Sequence, residues 1–212
     1  VGLAGICDVQ FSAFGTRTNR RCAARLRPAA ATRATPCRPY DQTFTPRPCD
    51  TIVLNMGSSD KWRSKRLPAE KWVEFSRVLS ERFDAKFVLT GSEDERDYVS
   101  SIAEQLVGRV ENVAGQTSIA DLKAILKAAY LTVSTDTGPM HISAVMKTPT
   151  IGLFGATNWF LSAPFGPWSV ALYDRQAYPH GQPPTRSLPE VGDVYRHIDI
   201  EEGLTAIDSY LK

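Results

Sequence analysis

Metal-ligand and disulfide patterns are scarce in this sequence of 212 residues. All four cysteines lie within the first 50 residues, at spacings of 15, 15 and 12, and no histidine accompanies them there. Zinc sites use pairs about two to four residues apart, and no secretory signal indicates an oxidising compartment. We therefore predict unliganded thiols, no metal site and no bound cofactor, with a disulfide framework as the alternative for the thiols.

Long apolar runs and a strong net charge are also missing. The longest charge-free apolar stretch, residues 148–170, is interrupted by glycines, prolines and Asn158, whereas a membrane-spanning helix needs about 20 apolar residues. The net charge of +2 is too small to favour nucleic acid as a partner. We therefore expect neither a transmembrane helix nor nucleic-acid binding.

Residues 1–50 differ in composition from the rest of the chain. They contain eight arginines and three aspartates but no lysine or glutamate, so they carry +5, whereas residues 51–212 carry −3. Such an excess of Arg, Ala and Pro cannot bury enough apolar surface to offset the entropy lost on ordering. We predict a disordered segment, with an RNA- or membrane-binding arm, a transit peptide and a frameshift or truncation artefact as open alternatives.

Residues 51–212 alternate between strand and helix patterns. Strands are predicted at 51–55, 86–90, 109–113, 130–134 and 148–154, and helices at 68–83, 94–107, 118–129 and 138–146. Residues 155–190 are predicted to be loop, followed by a strand at 195–198 and a helix at 201–211. Because parallel strands need crossover connections, this alternation predicts an α/β, Rossmann-like parallel sheet with helices on both faces.

The loops after the strands are the places to look for chemistry, because open α/β sheets bind ligands at the carboxyl ends of their strands. None of these loops contains GxGxxG or GxxxxGK[ST], which argues against a nicotinamide or Walker-type nucleotide site. There is also no GxSxG motif, and Ser134, Asp136 and His141 are too close in sequence to form a catalytic triad.

The segment STDTGPMH, residues 134–141, carries the strongest signal. Asp136, Thr137 and Gly138 directly precede a helix, so the N–H groups of Thr137, Gly138 and Met140 are expected to point out of its amino end and to hold a phosphate. His141 lies one turn further on and is expected near the same anion. The alternative is that Asp136 only caps the helix and His141 has no part in binding.

The loop after the first strand adds positive charge to this picture. It begins with Gly57, Ser58 and Ser59 and continues with four cations: Lys61, Arg63, Lys65 and Arg66. This loop and residues 134–141 both have features that bind anions, and they follow strands that we expect to be adjacent. Together they predict a diphosphate site between them, with the negative charge neutralised by lysine and helix dipoles. A solvated charged loop is the alternative.

Three acids, Glu93, Asp94 and Glu95, follow the second strand, where a carboxylate often accepts hydrogen bonds from a ribose. Acidic residues are also common in the first turn of a helix, which is the alternative explanation.

Three blocks of this sequence resemble glycosyltransferase family 9, the lipopolysaccharide heptosyltransferases, in their carboxyl-terminal half. The blocks are GSSDKWRSKRLPAEKWVEF (57–75), AGQTSIADLKAILKAA (114–129) and VSTDTGPMHISAVMKTPTIGLFGATN (133–158). The first is similar to the family's Lys-x-Trp-Pro pattern but has Leu67 where tryptophan is usual. The third is similar to its Asp-Ser/Thr-Gly-Pro-x-His and Leu-Phe-Gly-x-Thr blocks.

The resemblance implies one half of a two-domain GT-B enzyme, with residues 51–212 as the domain that binds the nucleotide-sugar. It places Ser58, Ser59 and Lys65 at the donor, with Lys65 on its phosphates. Asp136, Thr137 and Gly138 would line the diphosphate and sugar, with His141 close by. Glu93 would reach the ribose, and Glu95 is the rival choice.

The activity implied is inverting, metal-independent transfer of heptose from ADP-heptose to lipopolysaccharide core, a lipid-linked saccharide. It implies a cytoplasmic protein at the inner face of the cytoplasmic membrane, in peripheral contact with it. In the family the general base comes from a Gly-Asp motif in the amino-terminal domain, and residues 1–50 contain no Gly-Asp pair. We therefore expect the donor-binding half alone, and the alternative is a non-catalytic nucleotide-sugar-binding module or a truncated pseudoenzyme.

Overall fold

Six strands form a single sheet in this computed structural model, which describes residues 50–186, 188 and 193–211. Except for Asp50, the predicted disordered segment lies outside the described residues. The strands are β1 (Thr51–Asn55), β2 (Lys86–Thr90), β3 (Arg109–Asn112), β4 (Leu131–Thr135), β5 (Thr150–Phe154) and β6 (Ser169–Tyr173).

A helix follows each of these strands. They are α1 (Ala69–Arg82), α2 (Arg96–Ala103), α3 (Ile119–Ala128), α4 (Gly138–Val145), α5 (Trp159–Ser162) and α6 (Ile200–Ala206). Short 3-10 turns cover Asp60–Lys65, Glu93–Glu95 and Asp208–Tyr210. Apart from these turns, the first five strands and four helices lie close to their predicted positions.

The strand order is β3-β2-β1-β4-β5-β6, and every pairing is parallel. The predicted Rossmann-like fold is therefore confirmed. The chain runs outward from β1 to β3 and then returns to place β4 beside β1. Such a reversal opens a crevice at the carboxyl ends of the two central strands, where ligands of this architecture bind.

Helices cover both faces of the sheet, as predicted. On one face, Trp72, Phe75 and Leu79 of α1 pack with strand residues and with α2 and α6 in the main core. On the other face, Leu126 of α3 packs against Val53 in a smaller cluster. Burial on both faces explains why the central strands read as continuous apolar runs rather than alternating ones.

The structure corrects two predictions for the carboxyl-terminal part. Residues 155–190, expected to be loop, contain α5 and the edge strand β6. Their strand signal, SVALY, is short and follows a Gly- and Pro-rich stretch that masks it. Residues 195–198, expected to be a strand, form turns instead, and their apolar residues Tyr195 and Ile198 fill the core.

Candidate functional site

A cavity of about 550 Å³ opens at the carboxyl ends of β1, β2 and β4. Its walls come from the loop after β1, the loop after β2, the start of α3 and the start of α4. These are the loops that the sequence marks, so the fold brings the separate segments to one place.

Lys65 and Asp136 form a nearly buried ion pair at this cavity. The Lys65 Nζ donates to the carbonyl oxygen of Asp136 at 2.9 Å and to its Oδ2 at 3.1 Å. Their side chains are only 19% and 7% exposed. Two of the three ammonium N–H groups thus bind Asp136, the residue that leads into α4. Within the described residues the third N–H has no hydrogen-bond acceptor, so it is available to a ligand.

The amino end of α4 faces the same cavity. Pro139 has no N–H, and no hydrogen-bond acceptor contacts the N–H groups of Thr137 and Gly138 within the described residues. A Cβ placed on Gly138 would have no heavy atom within 4 Å, so the approach to these N–H groups is open. The Met140 N–H, expected to be free, instead donates to the Thr137 carbonyl at 3.1 Å because the first turn is tight.

The loop after β1 is held by its own hydrogen bonds. The Ser58 hydroxyl donates to the Trp62 carbonyl at 2.7 Å, and the Ser58 carbonyl accepts from Arg66 Nε at 3.1 Å. Ser58 is buried and Ser59 is exposed, and both line the cavity. Because its hydroxyl is already used, Ser58 can offer a ligand little more than its backbone and shape.

The acids after β2 divide between the cavity and the solvent. Glu93 does not line the cavity: its side chain is 68% exposed and its Oε2 pairs with Arg96 at 2.7 Å. Asp94 and Glu95 do line it. The Glu95 carboxylate accepts from the Ser92 N–H at 2.7 Å and lies where a Cβ on Gly57 would be, so a side chain at position 57 would displace this carboxylate.

His141 stands beside the cavity rather than in it. Its imidazole is 47% exposed, and its Nε2 lies 3.9 Å from the Asp136 Oδ1. The structure therefore brings together Ser58, Ser59, Lys65, Asp136, Thr137 and Gly138, with His141 at the edge. Of the predicted site residues, Glu93 and His141 do not line the cavity, and Glu93 pairs with Arg96 instead.

Sequence reasoning missed several residues that line or shape this cavity. Asn55 ends β1 and hydrogen bonds to Ser134 and Thr137. A polar residue that closes a buried strand is a signal available from sequence, but its partners are about eighty residues away. Ile119 and Leu122, at the start of α3, form an apolar wall that no motif indicated.

Arg66 is a second cation at the cavity, and its guanidinium is largely buried. The side chain is 13% exposed and lies over the Tyr98 ring, 4.6 Å from the ring centroid. Burial raises the pKa of Tyr98 to about 12, although the neighbouring Arg66 opposes this, so the phenol is neutral at physiological pH. Arg66 lines the cavity and also holds the loop after β1 through the Ser58 carbonyl.

Neither a metal cluster nor a membrane-crossing helix is found in the described part of the chain. No group of three or more His, Cys, Asp or Glu side chains is placed to hold a metal ion there. None of the helices described is both long and apolar enough to cross a bilayer.

Comparison with known protein families shows to which family this chain belongs. The sequence profile of glycosyltransferase family 9 (heptosyltransferase) matches residues 23–185, well over half of the chain. The chain belongs to glycosyltransferase family 9.

Curated members of family 9 are similar over part of their length. Lipopolysaccharide heptosyltransferase 3 of Escherichia coli is 31% identical over 128 residues, which cover 58% of this chain and 37% of that protein. Lipopolysaccharide heptosyltransferase 1 of Pseudomonas aeruginosa is 32% identical over 113 residues, 52% of this chain and 31% of that protein. The chain thus spans about a third of the curated family 9 relatives that it matches.

Solved structures of this family share the fold. The ADP-heptose lipopolysaccharide heptosyltransferase II of E. coli aligns with a TM-score of 0.61 at 20% identity, over 76% of this chain and 46% of that chain. A family 9 glycosyltransferase of Veillonella parvula aligns with a TM-score of 0.58 at 22% identity, with the same coverages. The domain therefore has the fold of one half of a GT-B glycosyltransferase.

Proposed function

We propose that this chain binds the nucleotide-sugar donor of a heptosyltransferase, ADP-heptose or a close analogue, for transfer to lipopolysaccharide core. One observation carries the proposal: the Lys65 ammonium and the open amino end of α4 meet at one cavity. The sugar and nucleotide are those named for an E. coli protein with the same fold, ADP-heptose lipopolysaccharide heptosyltransferase II. The acceptor comes from the names of the curated relatives.

The donor diphosphate is assigned to the space between Lys65 and α4. The remaining Lys65 N–H and the N–H groups of Thr137 and Gly138 supply a positive charge and oriented dipoles. When the sugar leaves, negative charge grows on the nucleoside diphosphate. Groups that are already oriented toward that charge stabilise the transition state more than the bound donor, which is how they accelerate transfer.

The nucleoside is assigned to the other end of the cavity. There the two acids of the loop after β2 that line the cavity, Asp94 and Glu95, are available to ribose hydroxyls, and Glu95 replaces Glu93 in this role because Glu93 does not line the cavity. The apolar wall of Ile119 and Leu122 provides a surface for a planar base.

Asp136 has two roles in this proposal. Its carbonyl and carboxylate fix the Lys65 ammonium, and its Oδ1 is available to a sugar hydroxyl on the side nearest His141. The Ser162 hydroxyl of α5 lies 3.4 Å from the Asp136 Oδ2 and 3.0 Å from the Asn158 carbonyl, so its one hydrogen is shared between these two acceptors.

We also propose that transfer is inverting, that the donor site needs no metal ion and that the acceptor is a lipid-linked saccharide. The corresponding location is the cytoplasmic face of the inner membrane, with peripheral contact to the bilayer. The names of the relatives, lipopolysaccharide and lipooligosaccharide heptosyltransferases, support the lipid-linked saccharide as acceptor.

Calorimetric titration of ADP into the purified chain, in buffer containing EDTA, tests donor binding. We expect saturable binding, and Lys65→Ala is expected to weaken it about tenfold or more because a charge-assisted hydrogen bond contributes roughly 1.5–3 kcal/mol. Lys61→Ala is the matched control, since Lys61 belongs to the same loop but lies outside the cavity lining. Absence of binding at millimolar ADP, or equal effects of the two substitutions, would contradict the proposal.

A further inference from the structure

Trp62 differs from the other three tryptophans of the chain because it lines the cavity. Trp72, Trp159 and Trp168 are at most 4% exposed and belong to the packed interior. Trp62 is only half-buried, and its side chain has no place in the described core clusters. Aromatic side chains that line a cavity provide most of the apolar surface on which a ligand packs. The ring of Trp62 is such a surface.

The backbone at Trp62 is held by hydrogen bonds on both sides. Its N–H donates to the Ser59 carbonyl at 2.8 Å, and its carbonyl accepts from the Ser58 hydroxyl at 2.7 Å. Trp62 also interrupts its 3-10 turn, with a φ of −126° and a ψ of 40°. Its neighbours Lys61 and Arg63 do not line the cavity, so the turn presents Trp62 to the cavity and the two cations to solvent.

The position of Lys65 relates the Trp62 ring to one end of the cavity. The Lys65 Nζ lies 5.9 Å from the centroid of the ring and is itself bound to Asp136, the residue that follows β4. Arg66, the next residue, extends to the other side, where its guanidinium lies over Tyr98 of α2. The ring is therefore close to the end of the cavity at which Asp136 is available to a sugar hydroxyl.

One face of the Trp62 ring can be covered by a ligand. Of the two nearby ammonium groups, that of Lys65 is fixed by Asp136, whereas Lys61 is exposed. The Lys61 Nζ lies 5.7 Å from the ring centroid, near the outer limit of a cation–π contact, and such contacts are weak at exposed sites. The Lys61 side chain can therefore move away when a ligand packs on the ring.

A sugar ring presents two kinds of surface to a protein. Its hydroxyl groups form hydrogen bonds around the rim, whereas its faces consist of C–H groups that are apolar and slightly positive. The face of an indole is apolar and slightly negative, so it packs favourably on such C–H groups. Asp136 supplies an acceptor for the hydroxyls, and Trp62 supplies the apolar surface that the Lys65 ammonium and the N–H groups of α4 cannot.

We propose that the Trp62 indole packs against the sugar ring of the donor and makes the site prefer the nucleotide-sugar to the free nucleoside diphosphate. The inference rests on the proposed function, because it names a further contact of the same donor. It assigns Trp62 to the sugar and neither to the phosphates nor to the base.

Calorimetric titration with ADP and with ADP-heptose tests this contact. We expect Trp62→Ala to weaken ADP-heptose binding about five- to tenfold, the loss expected for one aromatic contact. The affinity for ADP is expected to change less than about twofold, because Lys65 keeps both hydrogen bonds to Asp136. No loss for ADP-heptose would overturn the inference. Equal losses for the two ligands would also overturn it, since they would place the ring against the nucleotide.

Three further variants separate the sugar contact from damage to the loop. Arg63 is 69% exposed and outside the cavity lining, so the control Arg63→Ala is expected to leave both affinities within about twofold of the parent. Trp62→Phe keeps an aromatic face and is expected to retain ADP-heptose affinity within about threefold. Trp62→Leu serves if Trp62→Ala does not fold, as judged by thermal unfolding. A loss in Trp62→Phe as large as in Trp62→Ala would overturn the inference.

Tryptophan fluorescence gives a second readout that does not depend on affinity. Because the other three tryptophans are buried, a sugar that covers the Trp62 ring is expected to shift the emission to shorter wavelength. Saturating ADP-heptose is therefore expected to shift the emission of the parent more than saturating ADP does, and Trp62→Phe is expected to abolish this difference. Identical emission spectra of the parent with the two ligands would overturn the inference.

The outcomes also separate this inference from the proposed function. If the parent chain binds neither ADP nor ADP-heptose, the proposed function fails. If the parent binds both and Lys65→Ala weakens both, while Trp62→Ala does not act selectively on ADP-heptose, the donor site stands and only the role of Trp62 is wrong.

Discussion

At the scale of single residues, the Lys65–Asp136 ion pair can be tested most directly by substitution. Both side chains are mostly removed from water, and removing one partner of such a pair leaves an uncompensated charge. The pair therefore links the stability of the domain to its site.

We predict that Lys65→Met lowers the free energy of unfolding by about 2 kcal/mol, measured by urea denaturation at pH 7. In the double variant Lys65→Met/Asp136→Asn, part of the lost unfolding free energy is expected to return, because the second substitution removes the negative charge that Lys65 balanced. An additive second loss in the double variant would show that the two residues are not coupled.

The sequence predicts some of these residues and not others for a physical reason. Asp136, Thr137 and Gly138 form one short motif at a helix start, so their role is local and readable. Which acid after β2 lines the cavity depends on how the turn Glu93–Glu95 is wound, and this turn places Glu95 rather than Glu93 there.

At the scale of elements, the carboxyl-terminal turn at residues 193–198 replaces the predicted strand and ties three segments together. The buried Tyr195 hydroxyl donates to the Ser64 carbonyl at 3.0 Å and accepts from the Ala156 N–H at 3.2 Å. Burial raises the pKa of Tyr195, so it stays protonated and keeps donating at alkaline pH. Such long-range ties have no periodic signature in the sequence, which explains why α5, β6 and this turn were missed.

We predict that Tyr195→Phe lowers the unfolding free energy by about 1–3 kcal/mol, because the buried Ser64 carbonyl and Ala156 N–H both lose a partner. Tyr173→Phe is the control, since the Tyr173 hydroxyl makes no hydrogen bond within the described residues. Equal midpoints of unfolding for Tyr195→Phe and the parent would contradict this account.

At the scale of the whole molecule, Asp174 anchors the segment before α6 to the sheet. Burial alone would raise the pKa of this carboxyl. Backbone N–H groups of His197, Ala177 and Gln176, together with the His197 imidazole, outweigh burial and hold the pKa below its ordinary value. The carboxylate is therefore favoured in the folded state, and its contribution is present at neutral pH and lost as pH falls through the lowered pKa.

We predict that Asp174→Asn lowers the unfolding midpoint at pH 7 and that the difference from the parent narrows below about pH 4. Asp84→Asn is the control, because Asp84 is fully exposed and its pair with Arg109 contributes little. A difference that is independent of pH would show that the charge of Asp174 is not what stabilises the fold.

The overall architecture was more accessible from the sequence than the details of the site. Alternating β-branched runs and amphipathic helices such as α1 are sufficient to predict a parallel sheet covered on both faces. The strand order was not predicted, and it is this order that places the loop before Pro68 next to the segment before Pro139. The exact lining of the cavity depends on side-chain contacts between strands, which no single segment encodes.

A crystal structure of this chain with ADP tests the central claim most directly. The account predicts diphosphate oxygens within about 3 Å of the Lys65 Nζ and of the Gly138 N–H nitrogen. A diphosphate bound away from both groups, with the Lys65–Asp136 pair unchanged and the amino end of α4 still empty, would contradict it.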